Sequence, residues 1–195
     1  MFALLPNADR LPTILTTRLA LRWITPDDVP ALFEIFGDPV VCRYWSHEAM
    51  TVPHQAEALQ AQIAACFEAR SLFQWGISER STSKLVGTCT LADLSMQHRR
   101  AALGYALARR AWGIGYVQEA LPALLDFAFG TLELHRIEAD VDPRNDASIR
   151  VLERLRFRLE GHQRERYHLM GEVQDALLYG LLKQEWNNTD QSKRQ

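Results

Sequence analysis

The chain has 195 residues, of which 47% are hydrophobic and 24% charged, and its net charge is −2. These values suit one soluble domain with a full core, and the absence of any basic run or basic face gives no sign of a nucleic-acid or membrane partner. Cys42, Cys66 and Cys89 are odd in number and lack C-x-x-C spacing, which argues against a disulfide framework or a zinc site, and no apolar run reaches the length of a membrane span.

Residues 1–16 are interrupted by proline and weakly patterned, so they read as an N-terminal arm. The opening Met1-Phe2-Ala3-Leu4-Leu5-Pro6 has no basic lead-in and is too short for a secretory signal, so a cytoplasmic location is expected. A first strand spans 18–24, with Leu19, Leu21 and Trp23 on one face. Thr25-Pro26-Asp27-Asp28 then reads as a helix start, with Val29, Leu32, Phe33 and Phe36 as the buried stripe and Gly37 as the stop. The connection 40–53 is irregular and carries Tyr44, Trp45 and His47, aromatics suited either to a ligand surface or to roofing the core. A second helix over 55–70 points Leu59, Ile63, Cys66 and Phe67 inward, and strands follow at 73–78 and 85–91.

From 101 to 108 a large face (Leu103, Tyr105, Leu107) alternates with a small one (Ala102, Gly104, Ala106, Ala108), the period of a strand. Val117, Ala120, Leu121, Leu124, Leu125 and Ala128 then form the stripe of a helix. Between them lies Arg110-Ala111-Trp112-Gly113-Ile114-Gly115. A strand feeding a helix through two glycines is an anion site, because glycine permits close backbone approach and the first helical N–H groups lack partners. Leu134–Val141 is the next strand, with Ile137, Ala139 and Val141 on one face. A short helix after Asn145 buries Ser148, Val151, Leu152 and Leu155, and the strands 157–169 and 173–182 close as a hairpin. Residues 187–195 are polar and read as a disordered tail. No repeat or linker divides the chain, so 17–186 is one α+β domain with a single parallel junction.

This order of elements, with Arg-x-x-Gly-x-Gly ending the fourth strand, resembles the GNAT superfamily of acyl-CoA N-acyltransferases. Trp112-Gly113-Ile114-Gly115-Tyr116, Glu119-Ala120, Leu134-His135-Arg136-Ile137-Glu138, Asn145-Asp146-Ala147-Ser148, Leu152-Glu153 and Phe157-Arg158-Leu159-Glu160-Gly161 resemble its Rim-type branch, the ribosomal-protein N-terminal acetyltransferases. Competing phosphate motifs fail: a dinucleotide fingerprint needs glycine where Gln118 stands, and no G-K-[ST] follows a glycine loop. The resemblance implies a GNAT fold, a mixed and mostly antiparallel sheet of about seven strands with about four helices on its faces. It also implies a splay between the fourth strand (101–108) and the fifth (134–141). Acetyl-CoA is the implied cosubstrate, with no metal. Its pantetheine arm is expected on the backbone of Leu107 and Ala108, and its pyrophosphate on the amides of Trp112, Gly113, Ile114, Gly115 and Tyr116, with charge from Arg110.

Acyl transfer from a thioester needs a neutral amine, donors for the oxyanion and a proton for the thiolate. Direct attack by the amine requires no enzyme nucleophile. Many superfamily members carry a tyrosine acid seven residues after the asparagine, where this chain has Leu152; Rim-type members assign the role to a serine at the position of Ser148, which competes with simple helix packing. Asn145 binds the pantetheine or acceptor region, caps the helix, or does both. Glu138 either takes the amine proton through water or pairs with an arginine such as Arg136 or Arg150. Glu119 reads as a first-turn stabiliser. Pro122 inside the helix and Arg156 at the usual glycine position depart from the family pattern. The expected activity is acetyl-CoA-dependent N-acetylation of a primary amine, with a protein or peptide α-amine as the leading acceptor and a homodimer compatible with it. The alternatives are a small-molecule acceptor (polyamine, amino acid or aminoglycoside) and a catalytically silent acyl-CoA-binding regulatory domain.

Overall fold

The computed structural model, which describes residues 8–169 and 171–192, gathers the alternating segments into one sheet and the 3.6-period segments into helices packed on it. Strands β1 (Ile14–Leu15) and β2 (Leu19–Arg22) lead to α1 (Val29–Phe36), a one-turn α2 (Pro39–Cys42) and α3 (Pro53–Glu68). Strands β3 (Phe73–Glu79), β4 (Leu85–Ser95) and β5 (Arg100–Leu107) form a meander, followed by α4 (Tyr116–Asp126), which continues into a π turn at Phe127–Thr131. Then come β6 (Arg136–Val141), α5 (Asp146–Arg154), β7 (Arg158–Leu169), β8 (Glu172–Leu182) and α6 (Lys183–Ser192). Among the described residues the sheet has eight strands in the order β1-β2-β3-β4-β5-β6-β8-β7, and every neighbouring pair is antiparallel except β5 and β6.

The eighth strand is β1, inside the expected arm. There Leu11 is buried and the Trp75 indole donates to the Pro12 carbonyl at 2.9 Å, so this part of the arm packs on the sheet edge. Residues 1–7 lie outside the described residues, as do Met170 at the hairpin turn and positions 193–195. The α6 helix runs through the first positions of the expected tail.

Two apolar clusters flank the central strands, and the β5 alternation assigns its side chains between them. Leu103 and Leu107 pack with Leu121, Leu124 and Leu125 of α4, whereas the small Ala106 and Ala108 leave room for Phe36, Met50 and Ile63 from the α1–α3 side. The α1 helix starts later than its sequence signal. Asp28 turns back to accept from the Thr25 amide at 2.9 Å and from Arg22 at 2.7 Å, holding Pro26–Asp28 as a 3-10 turn. The inward set of α1 is therefore Leu32, Ile35 and Phe36, not the stripe through Val29 and Phe33.

The two departures from the family pattern are absorbed locally. Helix α4 runs through Pro122. At the end of α5, Phe157 N–H bonds the Leu152 carbonyl at 3.0 Å and Arg156 N–H bonds that of Glu153 at 2.9 Å, a Schellman cap. Such a cap needs a left-handed residue, and Arg156 adopts φ +67° to supply it.

Candidate active site

The site is a gap in the sheet. Strand β5 pairs with β6 only at Arg100, Ala101 and Ala102; beyond that, β6 continues along β8 while β5 continues along β4. On its β4 side the Ala108 N–H bonds the Val86 carbonyl at 2.8 Å, which makes Gly87 and Leu107 a widely spaced antiparallel pair. The backbone N–H and C=O groups of Leu107, and of Tyr105 at the same phase, therefore point into the gap. A cleft of about 580 Å³ opens there, lined by β5, the glycine turn, α5 and the segment around Tyr44 and Trp45.

At one end of the cleft lies the glycine turn. Gly113 and Gly115 hold φ +75° and +86°, conformations that a side chain would strain. Arg18 donates to the carbonyls of Ile114 at 3.2 Å and Gly115 at 3.5 Å. In a trans peptide the N–H points opposite the C=O, so this clamp turns the amides of Gly115 and Tyr116 away from Arg18. Among the described residues none accepts a hydrogen bond from the Gly113, Ile114 or Gly115 amide. Glu119 fixes Arg18 at 2.6 Å and also accepts from the Thr16 hydroxyl and the Arg18 amide, so its carboxylate ties the turn to the β1–β2 corner. The result is a set of preoriented donors at the positive end of α4. Arg18 has no local sequence signal, because its partners lie about a hundred positions away.

Arg110 is placed elsewhere. Its guanidinium pairs with Glu34 at 2.8 Å and donates to the Leu85 carbonyl at 3.2 Å, outside the cleft. Positive charge in the cleft comes instead from Arg150 and Arg154, one turn apart on α5, and from Arg43; none of the three makes an ion pair among the described residues. Ala108 also falls outside the lining, since its N–H is used by Val86 and its carbonyl accepts from Ala111 at 2.8 Å. The Ile114 side chain is not part of the lining either. Leu107, Trp112, Gly113, Gly115, Tyr116, Asn145 and Ser148 all line the one cleft. The Trp112 indole also donates to the Leu107 carbonyl at 2.9 Å, joining the turn to the strand.

Asn145 caps α5 by accepting from the Ser148 amide at 3.2 Å. Ser148 Oγ lies 2.8 Å from the Tyr105 hydroxyl, which enters from β5. Burial pushes the Tyr105 phenol up to about 12, the Ser148 hydrogen bond offsetting only part of this, so it is protonated at neutral pH. Leu152 is buried in the core, and α5 offers no phenol of its own. Glu138 lies outside the cleft, between Arg100 at 2.5 Å and Arg136 at 2.8 Å. Burial raises its carboxyl, but the two arginine hydrogen bonds outweigh that and hold it below the usual range. It is the ion-paired carboxylate of the structural reading, joined through Arg136 to Glu160. No Asp, Glu or His is found among the described residues lining the cleft.

A splayed parallel junction, free amides at a left-handed glycine turn and a helix behind them form one continuous set of donors along the cleft. The family model described as acetyltransferase (GNAT) domain matches residues 18–158. The chain belongs to the GNAT acetyltransferases. It is 34% identical over 172 residues to a Bacillus subtilis protein named uncharacterized N-acetyltransferase YoaA, covering 88% of this chain and 97% of that one. It is 25% identical over 191 residues to the [ribosomal protein uS5]-alanine N-acetyltransferase of Escherichia coli, covering 95% and 98%. Its fold matches that of a spermidine N-acetyltransferase from Vibrio cholerae in complex with CoA and spermine, with a TM-score of 0.79, 22% identity, and 89% and 99% of the two chains covered.

This GNAT protein is an acetyl-CoA-dependent N-acetyltransferase, and its residues fit that donor. The Gly113–Tyr116 amides suit a diphosphate, Arg150 and Arg154 add positive charge, and the Leu107 N–H in the gap suits a pantetheine amide or an oxyanion. Acetyl-CoA supplies the acetyl thioester. The residues that would hold it are the glycine turn, the Leu107 backbone and the arginines of α5. Among the described residues, no group of three or more His, Cys, Asp or Glu side chains is placed to hold a metal ion, and no helix is long and apolar enough to cross a membrane.

Proposed function

We propose that the acceptor is the α-amine of a peptide or protein N-terminus, acetylated in the cytoplasm. The observation that carries this reading is the absence of any carboxylate or imidazole among the described residues lining the cleft, together with the presence of Arg43, Arg150 and Arg154. With no base at hand, the amine must arrive neutral. An α-amine with a pKa near 8 is neutral in roughly one molecule in ten at pH 7, against about one in 2,500 for an alkyl amine near 10.4. The cationic lining also repels polyamines and aminoglycosides, which argues against the small-molecule polycation reading. The similarity to a uS5-alanine N-acetyltransferase supports a protein substrate.

The test is thiol release from acetyl-CoA with N-terminal peptides, Nα-blocked lysine peptides, spermidine and an aminoglycoside. Peptides with free α-amines should give kcat/KM at least tenfold above the other acceptors, allowing for partial loss of the neutral-amine advantage to fit. Equal or better turnover of spermidine would overturn the reading. Thiol release with none of them would favour the silent acyl-CoA-binding alternative.

A further inference from the structure

We propose that Tyr105 is a positioning residue for the acyl transfer: its phenolic O–H donates to Ser148 Oγ, so that the Ser148 hydroxyl hydrogen is directed to the sulfur of the leaving thiolate. This rests on the N-acetyltransferase reading above. The two oxygens lie 2.8 Å apart on elements 43 residues apart in sequence, and both side chains line the cleft. Geometry alone leaves either hydroxyl as donor, and acidity decides. A phenol is the stronger donor of the two, and burial keeps its proton in place. With one lone pair of Ser148 Oγ taken by Tyr105, its own hydrogen must go elsewhere. The usual alternative for a helical serine is the carbonyl one turn back, and no such bond forms here among the described residues. The cleft remains.

The bonds balance without a proton leaving either hydroxyl. The lone pair of the neutral acceptor amine forms the C–N bond at the thioester carbonyl carbon, and the carbonyl π pair moves to oxygen, facing the Leu107 N–H. Collapse re-forms C=O, breaks C–S and leaves the pair on sulfur, where Ser148 O–H stabilises it. The nitrogen loses its proton to water, and sulfur is protonated from solvent. A full transfer from Ser148 or Tyr105 would run uphill, since both are weaker acids than a thiol near 8.5. A hydrogen bond to the developing anion is the contribution these groups can make.

The experiment compares wild type, Tyr105→Phe, Ser148→Ala and the double variant by steady-state kinetics. It also titrates the thiol of enzyme-bound CoA by its thiolate absorbance. Tyr105→Phe should lower kcat about tenfold at unchanged acetyl-CoA KM and raise the bound-thiol pKa by about one unit, the effect of one charge-assisted hydrogen bond. Ser148→Ala should do at least as much, and the double variant no more than Ser148→Ala alone. Wild-type kcat and an unshifted thiol in Tyr105→Phe would overturn the proposal, as would losses that multiply in the double variant. A wild-type protein without turnover would overturn the function reading instead. The thiol titration needs only CoA binding, so it still decides for or against the Tyr105–Ser148 pair.

Discussion

Gly115→Glu and Gly115→Gln separate charge from strain at the glycine turn, because the two side chains share a shape and differ by one charge. Gly115 holds φ +86°, a conformation that costs a residue bearing a side chain about 1–2 kcal/mol. An added Cβ would lie 3.6 Å from Arg18 Nη2, an ordinary contact, so backbone strain dominates the structural cost. Both variants should therefore melt a few degrees below wild type, and together. The charge acts on binding alone. A carboxylate about 5 Å from a phosphate charge meets about 1 kcal/mol of repulsion at the dielectric of water and about 3 kcal/mol at an effective value of 20. Against a diphosphate, about 2 kcal/mol is a lower figure, roughly 30-fold in Kd. Isothermal titration with CoA should show Gly115→Gln weakened by strain and Gly115→Glu weaker still by that factor. Equal affinities for the two variants would refute the placement of the diphosphate on this turn.

Arg110→Ala should leave the Kd for CoA within about twofold, since its guanidinium serves Glu34 and the Leu85 carbonyl, while the Arg150→Ala/Arg154→Ala pair should weaken it about tenfold and flatten its salt dependence. Titrations at two ionic strengths check this, and the opposite ranking would restore Arg110 to the site. Glu138→Gln should cost about 1 kcal/mol of stability at pH 7 with kcat little changed, after allowance for the partial exposure of its arginine partners. Its folded carboxyl titrates below the usual value, so the stabilisation is full above the unfolded pKa of about 4.3 and is lost as pH falls through the folded one. Urea midpoints of wild type and variant should converge below about pH 4; a large kcat loss at unchanged stability would make Glu138 catalytic. Arg156→Gly should raise stability by about 0.5–1 kcal/mol, the left-handed strain relieved less the entropy that glycine loses, and a lower melting temperature would contradict the cap assignment.

What could be read from the residue order is what short-range physics decides. Alternation over 101–108 placed the large and small faces of β5, the two glycines announced a left-handed turn before α4, and Asn145 three residues before Ser148 announced a cap. Each depends on groups within a few residues of one another, so periodicity and backbone preference carry the information. The splay belongs to the same class only by resemblance to a family; nothing local in β5 says where β6 will leave it.

Tertiary structure decided which side chain serves which site. Arg110 sits beside the glycine turn in sequence, yet its guanidinium reaches Glu34, and the charge facing the cleft comes from Arg150 and Arg154 of α5 and from Arg43. Arg18 clamps the turn from just before β2, about a hundred positions away. Glu138 was placed on the right face of the right strand, and the arginine from β5, Arg100, determined that it is an ion-pair member outside the cleft. The Tyr105 hydroxyl meets Ser148 only because β5 and α5 converge across the gap. Local sequence sets backbone conformation and which face is apolar, because those follow from sterics and burial within one element. Long polar side chains choose among partners that only chain folding brings within about 3 Å, and that choice decides which charges and hydroxyls face the cleft beside the glycine turn.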